Sequence, residues 1–412
     1  MTDFTRTKGQ LYMGPKSLVS LAEDFSTPLY AYSEQTLRSR CQQLKQSFEG
    51  LTLCYSAKAN SNVALLQIIK DEGIGVDAMS EGEIIQEMAA GYHPEDILFV
   101  SNNVTTAHFG RVAAMGINRV VVDSMDQMRR WLAVKPGAHV VLRLNPTQGA
   151  GHHQKVITAG KVKFGFDPNL LDQAILEAKE LGGKVAGLMI HIGSLFMDPE
   201  PWLKAIDWLL DIAKAHPELE YLDFGGGMGV PYNRTTDQPF PMESFAKSLN
   251  QRLQGYCEET GTNPEFAIEP GRFLVAECGF CLAEVQSVKV NQGIKFIGTN
   301  LGFNFLIRPE MYGAYHEICH VTKEENSQTP VQVVGNVCES GDYLGQDRLL
   351  PETEVGDLLL IRDTGAYGFS MSSNYNSMAK PAEVLVDLKG HTKVIRAAEE
   401  PSGILKGQIY QT

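Results

Sequence analysis

Eight short apolar runs alternate with helix-patterned stretches over the first two-thirds of the chain, and nothing else in the sequence narrows the fold as much. The runs are LTLCYS (51–56), GVDAMS (75–80), ILFVS (97–101), RVVVDS (119–124), HVVLRLN (139–145), VAGLMIHIG (185–193), YLDFGGG (221–227) and EFAIEPG (265–271). Most are apolar throughout, with little polar alternation, as expected of parallel strands covered on both faces. The intervening segments NVALLQIIKDEG, GEIIQEMAAG and PWLKAIDWLLDIAKAH carry apolar residues three and four apart, and the first two stop at glycine. Eight strict β–α repeats predict an α/β fold, a (β/α)8 TIM barrel.

Past residue 280 the texture changes. CLAEVQSVKV, PVQVVGNVC, DLLLIRD, AEVLVDL and TKVIRAAE are short β-rich runs separated by Gly, Pro, Asn and Asp, with no long helical pattern. They predict a C-terminal β domain. PLYAYS, a strand-like run that precedes the first barrel helix, is expected to join it. The predicted division is therefore a barrel over 35–280 and a β domain over 1–34 and 281–412. Net charge is −13, from 36 basic and 49 acidic residues. That argues against nucleic acid or an anionic membrane as the main partner. No apolar run reaches the length of a membrane span, and the N-terminus lacks an apolar leader. Seven dispersed cysteines, an odd number, suit reduced thiols in a cytoplasm.

A barrel of this kind builds its site at the C-terminal ends of its strands. There the sequence places Lys58 behind strand one, Asp77 in strand two, His191 and Ser194 at strand six, Gly225, Gly226 and Gly227 behind strand seven, and Glu269, Gly271 and Arg272 behind strand eight. An amine, an imidazole, a carboxylate, a guanidinium and a glycine turn thus share one rim. FGGGMG is not a dinucleotide fingerprint, because Val230 stands where the third glycine belongs. A phosphate-binding turn fits better, since backbone N–H groups can approach an anion where no Cβ intervenes. HEICH (316–320) matches a zinc pattern that works only on a helix, with its histidines about 6 Å apart. On the strand expected there they stand about 13 Å apart. CGFC (278–281) lacks a second ligand pair. No metal is expected.

YSAKAN, HIGS, FGGGMGVPY, EPGRFLVA, CESGD and GAYGFSMSSNYN occur in the order seen in fold-type III, pyridoxal-phosphate-dependent amino-acid decarboxylases, which the chain resembles from about 25 to 390. LRLNPTQGAGHHQKVITAGKVKFGF and FNFLIRPEMYGAYHEI resemble most closely the branch that decarboxylates meso-diaminopimelate to L-lysine. The resemblance implies an alanine-racemase-like barrel, pyridoxal 5'-phosphate as cofactor, an amino-acid substrate, and a homodimer with shared active sites. It makes Lys58 the lysine that bonds the cofactor's carbonyl and packs His191 against the ring. Asp77 belongs with the cofactor-binding residues. Ser194, the turn through Gly226 and Gly227, Gly271 and Tyr367 hold the phosphate side. Arg272, Arg308, Tyr312 and Tyr367 grip the substrate, with Arg272 touching the cofactor too. Cys338 and Glu339 come from the partner subunit.

These residue types suit that chemistry. A primary amine forms an imine and exchanges it with the substrate amine. A carboxylate beside the pyridine nitrogen keeps it protonated and strengthens the electron sink, whereas the racemases of this fold resemble one another in placing arginine there; Glu269 therefore favours decarboxylation. A thiol is suited to returning a proton near neutral pH, the role implied for Cys338. Arg272 and Arg308 offer planar forks to a carboxylate, and Glu339 can pair with an ammonium. Some positions depart from the family pattern. Leu195 follows HIGS, Glu81 replaces a glycine, and Ser377–Pro381 replaces a basic stretch. They keep open a sibling decarboxylase acting on ornithine, arginine, a carboxylated polyamine, or a siderophore or antibiotic precursor.

Overall fold

A computed structural model describes residues 4–324 and 329–409. The chain divides into two compact units, one of Arg40–Pro231 with Asp237–Leu274, the other of Met1–Ser39, Tyr232–Thr236 and Val275–Thr412.

The first unit is the barrel. Its strands are β1 (Thr52–Ser56), β2 (Gly75–Ala78), β3 (Ile97–Val100), β4 (Arg119–Val122), β5 (His139–Arg143), β6 (Lys184–Met189), β7 (Tyr221–Asp223) and β8 (Glu265–Ile268). They close in chain order, β8 pairing with β1, and every pair is parallel. The strands coincide with the predicted apolar runs, most ending earlier where the polar rim residues begin. The barrel interior is filled by Leu98, Val121, Val141, Met189, Tyr221 and Ala267.

The helices start where local chemistry tells them to. Asn62, Ser80, Thr105 and Ser124 each follow a strand and accept a backbone N–H from the next helix's first turn, at 3.0–3.3 Å. These side chains satisfy donors that the helix itself leaves open. At Ser80 the device is doubled: Glu83, three residues on, accepts from Met79 N–H at 2.7 Å.

The second unit is built on a nine-stranded sheet. Its longest strand, Gly279–Asn291, pairs antiparallel with Leu29–Ser33, Leu358–Ile361 and Ile294–Thr299. Leu29–Ser33, the predicted PLYAYS strand, also pairs in parallel with Ala382–Val386 and so joins this sheet as expected. Leu18, Leu21, Leu29, Phe280, Leu282, Val321, Leu360 and Val384 form its core. Among the described residues past 280, the longest α-helix is Arg308–Tyr312, five residues. HEICH ends on the strand Ile318–His320. His316 is bonded to Arg308 and to the Arg362 carbonyl, and His320 faces Asp357 at 3.0 Å. No group of three metal-ligating side chains occurs among the described residues.

Candidate active site

The barrel's C-terminal rim carries ten of the expected residues. Lys58 sits in a one-turn 3-10 helix, Ala57–Ala59, directly behind β1; its alanine neighbours are buried while the lysine is exposed. Its charge acts on Asp77, Glu83, Glu269 and His191, which therefore share its surroundings. The Asp77 carboxylate, buried in β2, accepts a hydrogen bond from the Ser56 hydroxyl at 2.6 Å. Burial nevertheless pushes its pKa up to about 7, against the opposing pull of Lys58 and Ser56.

His191 stands just past β6. Gly226 N–H donates to its Nδ1 at 3.2 Å, which leaves the ring proton on Nε2. Burial first, then the cationic Lys58 and Arg143, holds this imidazole well below the usual histidine range, so the ring is neutral. Glu269, 4% exposed, extends from the end of β8. Burial, then the charges of Asp223 and Asp77, raises its pKa well above the carboxylate range. Its Oε1 atom is buried and finds no hydrogen-bond partner among the described residues. A buried oxygen of this kind is costly unless something pairs with it.

The glycine turn is shaped by close backbone approach. Gly225 and Gly227 have φ of +66° and +134°. A Cβ on Gly226 would stand 2.0 Å from the Glu269 carbonyl oxygen, and one on Gly227 2.2 Å from the Phe196 ring. Only glycine fits, and the turn is locked to both His191 and Glu269. Gly271 packs on β1, where a Cβ would lie 3.1 Å from that of Ser56. Arg272 is buried, with Nε and one terminal nitrogen 3.3 and 3.1 Å from the Ser194 hydroxyl.

The remaining five expected residues belong to the β unit. Arg308 is fully buried, bonded to His316 Nε2 at 2.8 Å and lying 4.4 Å from the centre of the Tyr232 ring. Tyr312 closes the short helix after Arg308 and is half-buried. Cys338 and Glu339 are exposed in a turn, where Cys338 N–H donates to Asn376 Oδ1 at 2.8 Å. Tyr367 is half-buried with φ of +56°, an uncommon backbone setting for a bulky side chain.

Sequence reasoning passed over Ser56, Glu83, Arg143 and Asp223. Asp223 ends β7 wholly buried and accepts from the Tyr221 hydroxyl at 2.7 Å and from Gly225 N–H at 2.8 Å. Arg143 ends β5, with its guanidinium 4.7 Å from the Phe164 ring centre. Both are charged residues inside otherwise apolar strand runs, a signal the sequence does offer.

The model of the pyridoxal-dependent decarboxylase family, pyridoxal binding domain, matches residues 34–276. The chain belongs to this family. Its curated relatives extend over more than nine-tenths of the chain. Diaminopimelate decarboxylase of Methanothermobacter thermautotrophicus is 39% identical, with 97% of this chain and 96% of the relative covered. The enzyme of that name from Escherichia coli K12 is 36% identical, with 92% and 93% covered. Among solved structures, diaminopimelate decarboxylase of M. jannaschii in complex with L-lysine superposes with a TM-score of 0.90 at 30% identity, covering 99% of this chain and 98% of that one. The family's cofactor is pyridoxal phosphate, and the rim fits it on three counts. A buried carboxyl oxygen lacks a protein partner among the described residues, a glycine cradle excludes every Cβ, and a neutral imidazole lies beside a primary amine. No described helix is long and apolar enough to cross a membrane.

Proposed function

We propose that this chain decarboxylates meso-diaminopimelate to L-lysine on pyridoxal phosphate held at the barrel rim. The observation that carries the reading is Glu269: a buried carboxyl, one oxygen without a partner among the described residues, fixed through its backbone to a glycine turn. Its N–H donates to the Gly225 carbonyl at 2.8 Å. That is what a cationic ring nitrogen on one side and a phosphate on the other require.

Pyridoxal phosphate, when bound, spreads into its ring the charge that loss of CO2 leaves on the substrate's Cα. Lys58 would hold the cofactor through its primary amine, the group type that can bond a carbonyl and exchange with a substrate amine. Glu269 holds a proton at the ring nitrogen, where an arginine would withhold it. Asp77, bonded to Ser56, balances the Lys58 charge. His191 offers an uncharged face that does not repel a cationic ring. The glycine turn through Gly226 and Gly227, with Gly271, Ser194 and Arg272, would receive the phosphate, while Gly226 N–H keeps the turn tied to His191 Nδ1; Tyr367 joins them. Arg272, Arg308 and Tyr312 take the substrate's far end, and Cys338 returns a proton to Cα beside Glu339, both supplied by a second copy in a homodimer. The full-length resemblance to diaminopimelate decarboxylases supports these assignments. Seven thiols outside any disulfide support a cytoplasmic setting.

The test is CO2 release from meso-diaminopimelate, ornithine, arginine and carboxylated polyamines, measured side by side. Diaminopimelate is expected to react fastest. An inert diaminopimelate beside a reactive member of the others would replace this reading with a sibling decarboxylase.

A further inference from the structure

Cys338 and Glu339 lie in an exposed turn of the β unit, and a surface turn does not by itself hold a side chain precisely. This turn is tied down from outside. Asp342 is buried and accepts from Phe303 N–H at 2.6 Å on one oxygen and from Val337 N–H at 2.7 Å on the other. It thus closes the base of the turn and fixes it to the segment at 303. A carboxylate suits this task because each oxygen takes one donor, whereas an amide would turn its NH2 toward one of them. Cys338 N–H points away from this frame, to Asn376 Oδ1 at 2.8 Å. Asn376 comes from a separate stretch that docks on the same floor. Ser373 N–H donates to the Asn304 carbonyl at 2.8 Å, and the Tyr375 ring lies against that of Phe303 with centres 5.8 Å apart. The contacts close a circuit, from 303 to 342, through 337 and 338 to 376, and back through 375 to 303. Asn376 has φ of +56°, a backbone setting that asparagine, aspartate and glycine adopt more readily than other residues.

We propose that Asn376 is a positioning residue for Cys338: within the frame that Asp342 closes, its side-chain oxygen holds the Cys338 N–H and so sets where the thiol projects. This deepens the reading of Cys338 as the residue that returns a proton to Cα, and rests on it. Proton transfer needs donor and acceptor within hydrogen-bond reach, and a displacement of about 1 Å can cost about a hundredfold in rate. Asp342 fixes only the ends of the turn. Asn376 is what holds the residue that carries the sulfur, and it does so from a stretch with its own anchors at Ser373 and Tyr375. Asn376 is itself exposed, so its side chain can be changed without disturbing a core.

Two variants separate the acceptor from the backbone. Asn376→Gly keeps the left-handed setting and removes the oxygen; Asn376→Asp keeps both. Amide hydrogen exchange resolved to single residues reads the bond without cofactor or turnover. The Cys338 N–H is expected to exchange about tenfold faster in Asn376→Gly, the worth of one hydrogen bond, and to stay near the wild-type rate in Asn376→Asp. In the enzyme loaded with pyridoxal phosphate, kcat for meso-diaminopimelate is expected to fall about tenfold in Asn376→Gly and to recover in Asn376→Asp. The deciding comparison is made on Cys338→Ala. There Asn376→Gly is expected to change kcat less than about twofold, because no thiol is left to place. An equal loss in both backgrounds, an unchanged kcat in Asn376→Gly, or an unchanged exchange rate at Cys338 overturns the positioning and leaves the proton-donor reading in place. A Cys338→Ala enzyme as active as wild type overturns the proton-donor reading itself, and the positioning with it.

Discussion

Glu87 is a carboxyl in the helix Glu81–Ala89 that is fully buried, with neither oxygen bonded to any described residue. Burial, with the charges of Asp77 and Glu83, pushes its pKa from the ordinary 4.5 up to about 9. The folded protein therefore keeps this proton at neutral pH, while the unfolded chain releases it as soon as pH passes 4.5. Stability from this group is fully present below pH 4.5, declines as pH rises, and levels off above about 9. Between 4.5 and 7 lie about two and a half pH units, each worth about 1.4 kcal/mol, so the loss by pH 7 is about 3.5 kcal/mol. Glu87→Gln is the same size and cannot ionise. Relative to wild type, the variant is expected to gain stability with rising pH, by about 2–3 kcal/mol between pH 5 and pH 7. Denaturant unfolding of both proteins at half-unit pH intervals measures this, and every other titrating group cancels in the difference. A stability difference that does not change with pH would show that Glu87 is ionised or solvated in the folded state, and would refute the reasoning.

Gly226→Ala places a Cβ 2.0 Å from the Glu269 carbonyl oxygen. Relief of that clash must move Glu269 or the turn, and pyridoxal phosphate affinity, read by fluorescence titration, is expected to fall about tenfold; unchanged affinity would remove the turn from the site. Arg234 binds Asp363 at 2.6 and 3.0 Å and reaches Glu277 and Glu317 at 3.4 and 3.2 Å, all within the β unit. Arg234→Ala leaves the buried Asp363 and Glu277 without this partner and is expected to cost about 3 kcal/mol in denaturant unfolding; a cost below about 1 kcal/mol would mean the cluster is solvated.

The barrel was legible because parallel strands buried on both faces must be apolar throughout, and the eight runs coincide with its eight strands. Glycine placement was legible for the same kind of reason: three consecutive glycines mean close backbone approach, and the contacts at Gly226 and Gly227 show what approaches. The environment of Glu269 was not. In YLDFGGG the aspartate reads as a strand end, and nothing local says that its charge acts on Glu269. The helix GEIIQEMAAG shows the limit more plainly. Its apolar spacing suggests that Ile84, Ile85 and Met88 face inward together. Ile84 does, but Ile85 is 56% and Met88 40% exposed, while Glu87 is buried. Helical periodicity defines faces, and the neighbouring elements decide which one turns inward. The β unit's residues were recognisable as motifs, yet the packing of Arg308 against Tyr232 joins side chains from separate stretches of the chain, which no local pattern encodes.

The central claim is that one amine, that of Lys58, tethers the cofactor. Borohydride fixation of bound pyridoxal phosphate, followed by proteolysis and mass spectrometry, tests it directly. The label is expected on the peptide containing Tyr55–Asn60 at Lys58 and absent from Lys58→Ala. A label on another lysine, or fixation that survives in Lys58→Ala, would contradict the account.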